Sequence, residues 1–494
     1  MRAHGVEWAE TVLRMASDDE GCSVAAGFGC VATAKINAGD ELFCIPFAAC
    51  FGASCEEADG GAAAEEDSQK EMARLYLQER AKGRHSSWAP LLSVQSSAPC
   101  PWVWPANARA WLQGTELADV VALKLQRLEA ERVADRAGTG RKRAADDDGP
   151  PTASQYADAC ALVASHINPW YGSAIVPFNC MLNFARQPNV VFAAEGGEVV
   201  GRAERDIEAG EELTQEYADS TAELIYRYGF APRDGVLLDE EAVSISLSAL
   251  GEQAVASERA PGAAIPPHQA ARGRQRARAR SRVLCAAALA GPRTWDGLEG
   301  EITVEIQPGG RGTAQLIGAA LALAADDAAW AAVAPALARA KKQSMQRRRA
   351  KPHAGDSSSD DDDGESDGDE DEVAAALVAA LLRSDLRTAK ALAAVARTQG
   401  GDDCDPWPAL LRKASPSERI EAARAVATRA VEQRLATLER LPFPSCAPEG
   451  GATPTALQDC WQMASALRAV ETCVLKEALD TLAVPLDDAA STLA

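Results

Sequence analysis

Aromatic side chains are scarce, at 5% of the 494 residues, so the apolar share of 47% falls largely to alanine. That composition favours helices in the alanine-rich regions. The thirteen cysteines show no C-x-x-C pair and no regular spacing. Neither a zinc cluster nor a disulfide framework is therefore expected; reduced thiols and an intracellular protein, in cytoplasm or nucleus, are. No apolar run reaches the roughly 18 residues that a membrane span needs. The opening MRAHGVEWAETVLRMASDDEG lacks the continuous apolar stretch of a signal peptide. Positive charge is in deficit as well: 50 lysines and arginines face 72 acidic residues, a net charge of -22. Phosphate backbones would be repelled, which disfavours nucleic acid as a partner. Much of the acidic excess sits in one tract, Asp356 to Glu372.

What is present is room for about three domains and a charged fraction of 25%, typical of globular chains. Val6 to Met15 places Trp8, Val12 and Met15 at helical spacing, predicting a short amphipathic helix. The alternating, glycine-punctuated stretch from Gly21 to Pro46 reads as strands joined by turns. Within it, Ile36-Asn37-Ala38-Gly39-Asp40-Glu41-Leu42 recurs as Ile207-Glu208-Ala209-Gly210-Glu211-Glu212-Leu213. Both copies predict hairpins with glycine in the turn. Cys50 to Ser68 is small and acidic, a loop, and Lys70 to Arg132 then turns helical. Ala137 to Thr152 has no periodicity and reads as a flexible loop; its Arg141-Lys142-Arg143 reads as a solvated charge run. Ala157 to His166 has helical spacing again.

The chain is organised around Ile175 to Phe230. This stretch opens on a short apolar strand stopped by Pro177, sets Asn179 to Asn183 as polar side chains in an apolar run, and closes on a tyrosine cluster. Polar groups near a core need partners, and a ligand is one. Further on, Val236 to Leu247 alternates as a closing strand and Gln253 to Gln269 is a proline-rich linker. Arg272, Arg274, Arg276, Arg278, Arg280 and Arg282 would spread round a helix as a solvated face. From Val283 the chain reads as mostly helical: Thr313 to Ala325, Val373 to Arg397, Pro416 to Leu441 and Trp461 to Leu482. Ser415, Pro416 and Glu418 form a capping-box start, and Ile420, Ala423, Ala427, Val431, Leu435 and Leu438 line one face. The acidic tract, taken as 355–372, is too charged to pack and is expected to be disordered. A basic block, Lys341, Lys342 and Arg347 to Lys351, precedes it.

These residues resemble a SET domain of the subfamily that holds the Rubisco large-subunit lysine methyltransferases and the actin-histidine methyltransferase. Val176, Pro177 and Asn183 match its V-P-x-x-D-x-x-N-H pattern. Glu212 and Tyr217 match its E-x-x-x-x-Y-G element, and Glu223, Leu224, Tyr228, Gly229 and Phe230 match E-L-x-x-x-Y-G-F. Gly27-Phe28-Gly29 resembles its G-x-G, and Trp88 to Leu92 with Leu112 to Thr115 resemble its helical insertion. The chain departs from the pattern at Cys180 (family Asp), Phe184 (family His) and Ala218 (family Gly), and the loop after Tyr217 is one residue short.

The resemblance implies an α+β fold of several small β-sheets with a helical insertion, followed by a mostly α-helical C-terminal domain. Its bounds would be 1–250 for the SET domain (insertion about 70–165), 251–282 for a linker and 283–494 for a helical substrate-binding-like domain. It implies S-adenosylmethionine as cofactor, a protein or peptide substrate, no metal, and a monomer. Tyr217 would be catalytic. Gly27, Phe28, Gly29, Asn183 and Phe184 would bind the cofactor; His166, Cys180, Tyr228 and Phe230 would face the substrate. Lysine is the first acceptor implied, histidine the alternative, and a degenerate peptide-binding module the reading from another class.

Overall fold

The computed structural model describes residues 5–9, 13–17, 28–52, 62–93, 95, 97–138, 151–168, 174–232, 237–238, 240–256, 265–286, 290–292, 302–324, 417–445 and 454–484. Gly27, the basic block, the acidic tract, the helix expected over 373–397, Arg141 to Arg143 and the cap at Ser415 and Pro416 lie outside them. The chain divides into two compact units: 1–113, 117–239 and 443–467 form the first, and 114–116, 240–442 and 468–494 the second.

In the first unit, β1 (Glu7–Trp8), β2 (Leu13–Ser17), β3 (Phe28–Ala32) and β4 (Glu41–Pro46) precede a helical stretch. That stretch holds α1 (Ala62–Ala81), α2 (Ala89–Leu92), α3 (Ala106–Arg109), α4 (Leu117–Gly138) and α5 (Ala153–His166). Thr152 and Gln155 start α5 with a reciprocal capping box, which satisfies two otherwise orphaned helical N–H groups. Then follow β5 (Ile167–Asn168), β6 (Ala174–Ile175), β7 (Asn183–Phe184), β8 (Val190–Glu195), β9 (Glu198–Ala203), β10 (Glu212–Gln215) and the one-turn α6 (Thr221–Glu223). The strands form three small sheets, ordered β1-β4-β9-β8, β2-β3-β10-β7 and β5-β6.

The helix expected over Val6 to Met15 is not formed. Glu7 and Trp8 pair with Cys44 and Phe43, and Leu13 to Ser17 pair with Ala32 to Phe28. Ladder hydrogen bonds to β4 and β3 override a helical spacing of only three apolar residues. The loop expected over Cys50 to Ser68 is likewise helical from Ala62, where Ala-Ala-Ala-Glu-Glu supplies strong helix formers.

The two Ile-x-Ala-Gly copies are turns, as expected, but they are not hairpins: they pair with each other. Ile36 and Ile207 exchange backbone hydrogen bonds at 3.0 and 2.9 Å. Gly39 N–H donates to Ala203 O while Gly210 N–H donates to Ala32 O; Ala203 N–H donates to Asp40 O while Ala32 N–H donates to Glu211 O. Each of these backbone bonds has its mate in the other copy, a local pseudo-twofold. Both turn glycines have positive φ, 86° and 88°, which is why each copy needs glycine there. Below the turns lies a core of Cys30, Ile36, Leu42, Phe43, Ile45, Val176, Leu182, Val199, Ile207 and Leu213. Gly201 belongs to it too, since a Cβ would meet the Phe43 and Phe192 rings at 2.8 Å.

The second unit holds β11 (Val243–Ser246), α7 (Leu247–Val255), α8 (Pro267–Ala286), β12 (Gly291–Pro292), β13 (Ile302–Ile306), α9 (Thr313–Ala324), α10 (Ser417–Arg440) and the second half of α11 (Pro454–Ala483). The region from Val283, expected to be mostly helical, also contains two strands, β12 and β13. The alternating segment expected to close the first domain's sheet instead pairs with β13, in a three-stranded sheet ordered β11-β13-β12. The expected linker is in part helical: α7 runs to Val255, and α8 occupies Pro267–Ala286. The stripe read on α10 is buried at Ala423, Ala427, Val431 and Leu438.

The arginine series is not one solvated face. Arg280 is 1% exposed and donates to Ala322 O and Leu323 O, so its guanidinium caps the C-terminal carbonyls of α9. Gly273, on α8, and Gly251, on α7, meet backbone to backbone. A Cβ on Gly273 would lie 2.5 Å from Gly251 O, and one on Gly251 would lie 2.6 Å from Gly273 O. Gly273→Ala is expected to destabilise the protein by about 1–3 kcal/mol through overpacking. Thermal unfolding checks this, and an unchanged midpoint would show that the helices part freely.

Candidate active site

The segment from Pro177 to Leu182 begins with a strained turn. Phe178 has φ 64° and ψ -51°, and the N–H of Asn179 donates to Pro177 O at 2.8 Å, the three-residue γ-turn whose centre has positive φ. A non-glycine residue so placed costs on the order of 1–3 kcal/mol and is held by its surroundings. The Phe178 ring stacks on Phe43 at 4.7 Å and tilts against Trp8 at 5.4 Å. A 3₁₀ turn, Asn179–Met181, then delivers the chain into β7. There Asn183 and Phe184 run parallel to Thr214 and Gln215 of β10.

Two residues beyond β10 stands Tyr217, whose hydroxyl donates to the Leu182 carbonyl at 2.6 Å. The tyrosine cluster comes from α6 and the π-type turn Leu224–Tyr228 that continues it, a form often found at functional sites. Its cap, Gly229, has φ 69°, and a Cβ there would meet the backbone of Pro99 at 2.8 Å, so only glycine fits. Tyr228 stacks on Tyr217 at 4.4 Å and its hydroxyl donates to Tyr217 O at 3.3 Å. Phe184 lies 5.9 Å from Tyr217 and 5.7 Å from Phe230. The fold thus gathers Phe184, Tyr217, Tyr228 and Phe230 into one cluster with Ala218, Leu224 and Leu238.

Asn183 donates to Glu212 Oε1 at 2.6 Å. Gly29 lies in β3 opposite Ala16, and Phe28 opposite Ser17. Cys180 receives a hydrogen bond from Gln95 Nε2, 3.3 Å from its Sγ. His166 ends α5 and turns its Nδ1 back to Leu162 O at 2.9 Å and Ser165 Oγ at 2.8 Å; no contact between it and the aromatic cluster is seen among the described residues.

Burial keeps these groups neutral. Desolvation, with Tyr228 and Cys180 adding to it, pushes the Tyr217 hydroxyl well above its ordinary value, so it remains a hydrogen-bond donor. Burial also pushes the Cys180 thiol up to about 12. His166 moves the other way: burial lowers its pKa, because desolvation disfavours the cation. Stability linked to a lowered histidine is present above the unfolded value, about 6.5, and is lost as pH falls below it, because the unfolded chain takes up the proton first. His166→Asn is therefore expected to flatten the fall in melting temperature between about pH 7 and 5 relative to wild type. Parallel profiles for the two proteins would refute the buried, neutral histidine.

The sequence reading missed two members of the site, Gln215 and Asn189, and marked Asn179 only as a polar side chain in need of a partner. Gln215 and Asn179 bond each other (2.6 Å), and Gln215 also donates to Asn179 O at 2.5 Å. Asn189, 1% exposed, pins β10 by accepting from Thr214 N–H and donating to Glu212 O, both at 2.8 Å. The available signal was an amide side chain inside an apolar strand pattern, which needs a partner wherever it is buried. Among the described residues no group of three or more histidine, cysteine or acidic side chains is placed to hold a metal ion, and no helix is long and apolar enough to cross a membrane.

Residues 27–218, which hold the Phe178 turn, Asn183, Phe184 and Tyr217 but end before Tyr228 and Phe230, match the family model for the SET domain. Over that stretch the chain is similar to SET domains. No curated protein matches the chain. Among solved structures it is similar to "Crystal structure of the SET domain of LSMT bound to Lysine and AdoHcy" (TM-score 0.55, 15% identity, 97% of this chain and 89% of that chain). It is similar also to "Structure of Rubisco LSMT bound to AdoMet" (TM-score 0.53, with the same identity and coverage) and to "Structure of Rubisco LSMT bound to Sinefungin and Monomethyllysine" (TM-score 0.54, again with the same identity and coverage). The shared fold is α+β, with the small sheets of the SET domain and helices after it.

Proposed function

We propose that the chain is a protein methyltransferase that uses S-adenosylmethionine and acts on a lysine side chain. The observation that carries this reading is the pairing of Tyr217 and Leu182: a half-buried, protonated hydroxyl 2.6 Å from a backbone carbonyl, walled by aromatic rings. Support comes also from the similar structures, which are bound to AdoMet, AdoHcy, lysine or monomethyllysine.

The donor set suits the cofactor. Asn183 and the Glu212 carboxylate, 2.6 Å apart, would hold its amino-acid end, Phe184 would pack on it, and the backbone of Phe28 and Gly29 would lie along it. Bound there, the cofactor supplies an electrophilic methyl group on a sulfonium. The acceptor nitrogen must meet that group neutral and in line, so the protein's part is orientation and electrostatics. Tyr217 and Leu182 present two oxygens of fixed direction. Partial desolvation among these half-buried, uncharged groups disfavours the charged ammonium, which favours loss of its proton before transfer. Tyr228 and Phe230 would border the channel for the side chain.

A second reading, transfer to a histidine ring, is favoured by one feature. The groups nearest Cys180 are uncharged: a thiol whose pKa lies near 12 and the Gln95 amide, which suit an uncharged imidazole. Incubation of the purified protein with methyl-labelled S-adenosylmethionine and a cell lysate tests both. Label on a protein, recovered as methyl-lysine after hydrolysis, is expected; methyl-histidine selects the second reading. No transfer, together with no heat of cofactor binding at millimolar concentration, would leave a peptide-binding module.

A further inference from the structure

The strained turn at Phe178 sets the direction of the Leu182 carbonyl, and a side-chain pair holds that turn from β10. Gln215 Nε2 donates to Asn179 O at 2.5 Å and reaches Leu182 O at 3.4 Å. Its Oε1 accepts from Asn179 Nδ2 at 2.6 Å. Asn179 Oδ1 in turn faces Asn168 Nδ2 at 3.5 Å. Leu182 O, which Gln215 reaches, also accepts from the Tyr217 hydroxyl at 2.6 Å. Asn179 is 6% exposed and Asn168 7%, so these are desolvated bonds whose geometry is set by their partners.

One amide on β10 therefore bonds Asn179 O and reaches Leu182 O, the carbonyl to which the Tyr217 hydroxyl is itself bonded. A pair whose role was stability alone would have no need to reach the carbonyl to which the Tyr217 hydroxyl is bonded. We propose that Asn179 and Gln215 are positioning residues, which fix the Leu182 carbonyl and the Tyr217 hydroxyl in the direction that aligns the acceptor nitrogen. The inference rests on the methyltransferase reading.

The test uses the full-length protein and two substitutions. Gln215→Glu keeps the shape but turns a donor into an acceptor against two carbonyls; Gln215→Met keeps the length and removes both functions. With the acceptor protein found by lysate labelling, then purified, kcat is expected to fall about 10–100-fold in both. KM for that protein and Kd for S-adenosylhomocysteine should stay within about twofold, because contacts that bind are untouched while alignment is lost. Asn179→Leu combined with Gln215→Met should fall no further than the worse single change, as expected for one coupled unit. A kcat that holds, or a loss that follows Kd, would overturn the assignment.

A readout free of methyl transfer decides the matter separately. In protein with ring-labelled tyrosine, the Tyr217 Cζ resonance, assigned through Tyr217→Phe, should move in Gln215→Met. A resonance that stays in place overturns the proposal whether or not the protein is active, whereas an inactive wild type with a shifted resonance sinks the methyltransferase reading and keeps the pair.

Discussion

Tyr217→Phe is expected to abolish methyl transfer while leaving the protein folded and able to bind its cofactor. The substitution removes one oxygen and keeps a ring that stacks on Tyr228 and faces Phe184 and Phe230. A hydrogen-bonding group aimed at the reacting atoms typically contributes about 10²-fold or more, roughly 2.7 kcal/mol. Loss of the hydroxyl's bond to Leu182 O costs only about 1 kcal/mol of stability. The two effects therefore separate: kcat should fall by two orders of magnitude or more, with S-adenosylhomocysteine affinity and melting temperature nearly unchanged. Because burial holds the hydroxyl protonated, Tyr217 does not supply a base, and the rate should keep rising with pH as the acceptor amine loses its proton. Full turnover in Tyr217→Phe would remove the residue from the mechanism and make Tyr228 the next to replace.

Arg434→Met is expected to be the most damaging single change to the second unit. Arg434 Nη2 lies 2.9 Å from Glu471 Oε2 and 3.3 Å from Glu116 Oε1, and both carboxylates are nearly sealed, at 1% and 2% exposure. Backbone donors complete the arrangement: Glu116 N–H to Glu471 Oε1 at 2.7 Å and Ser244 N–H to Glu116 Oε1 at 2.9 Å. Arg434 also donates to Gly114 O. Replacing the whole set with apolar groups could be neutral, but removing only the cation strands two carboxylates away from water, at a cost of about 3–5 kcal/mol. A fall of roughly 6–20 °C in melting midpoint follows for a unit of this size. The triple change Arg434→Met, Glu116→Gln, Glu471→Gln should recover much of the loss, since it removes the stranded charges. A single mutant that melts with wild type would mean that solvent reaches this cluster.

Glu116 also shows where local reading ends. Leu112 to Thr115 was legible as part of a helical insertion, yet Gly114 to Glu116 belongs to the second unit, held by partners more than three hundred residues away. Nothing in the four residues themselves encodes that. The same holds for Arg280, which sits in a run of alternating arginines and looks no different from its neighbours. Only the end of α9 beside it makes that one arginine a buried cap.

What the sequence determined by itself is whatever depends on neighbours along the chain or on a motif of fixed order. The alanine-rich helices, the apolar stripe of α10, the glycine turns at Gly39 and Gly210, and the Asn183, Tyr217, Tyr228 and Phe230 series are of this kind, because helix periodicity, positive φ and loop spacing are local properties. The tertiary structure decided the rest. It turned Val6 to Met15 into strands because a sheet offered ladder bonds that three apolar residues on a helix could not match. It paired the two turn motifs with each other, and it strained Phe178 so that Leu182 O meets the Tyr217 hydroxyl. Those outcomes arise from contacts between distant segments, whose closure no local pattern records.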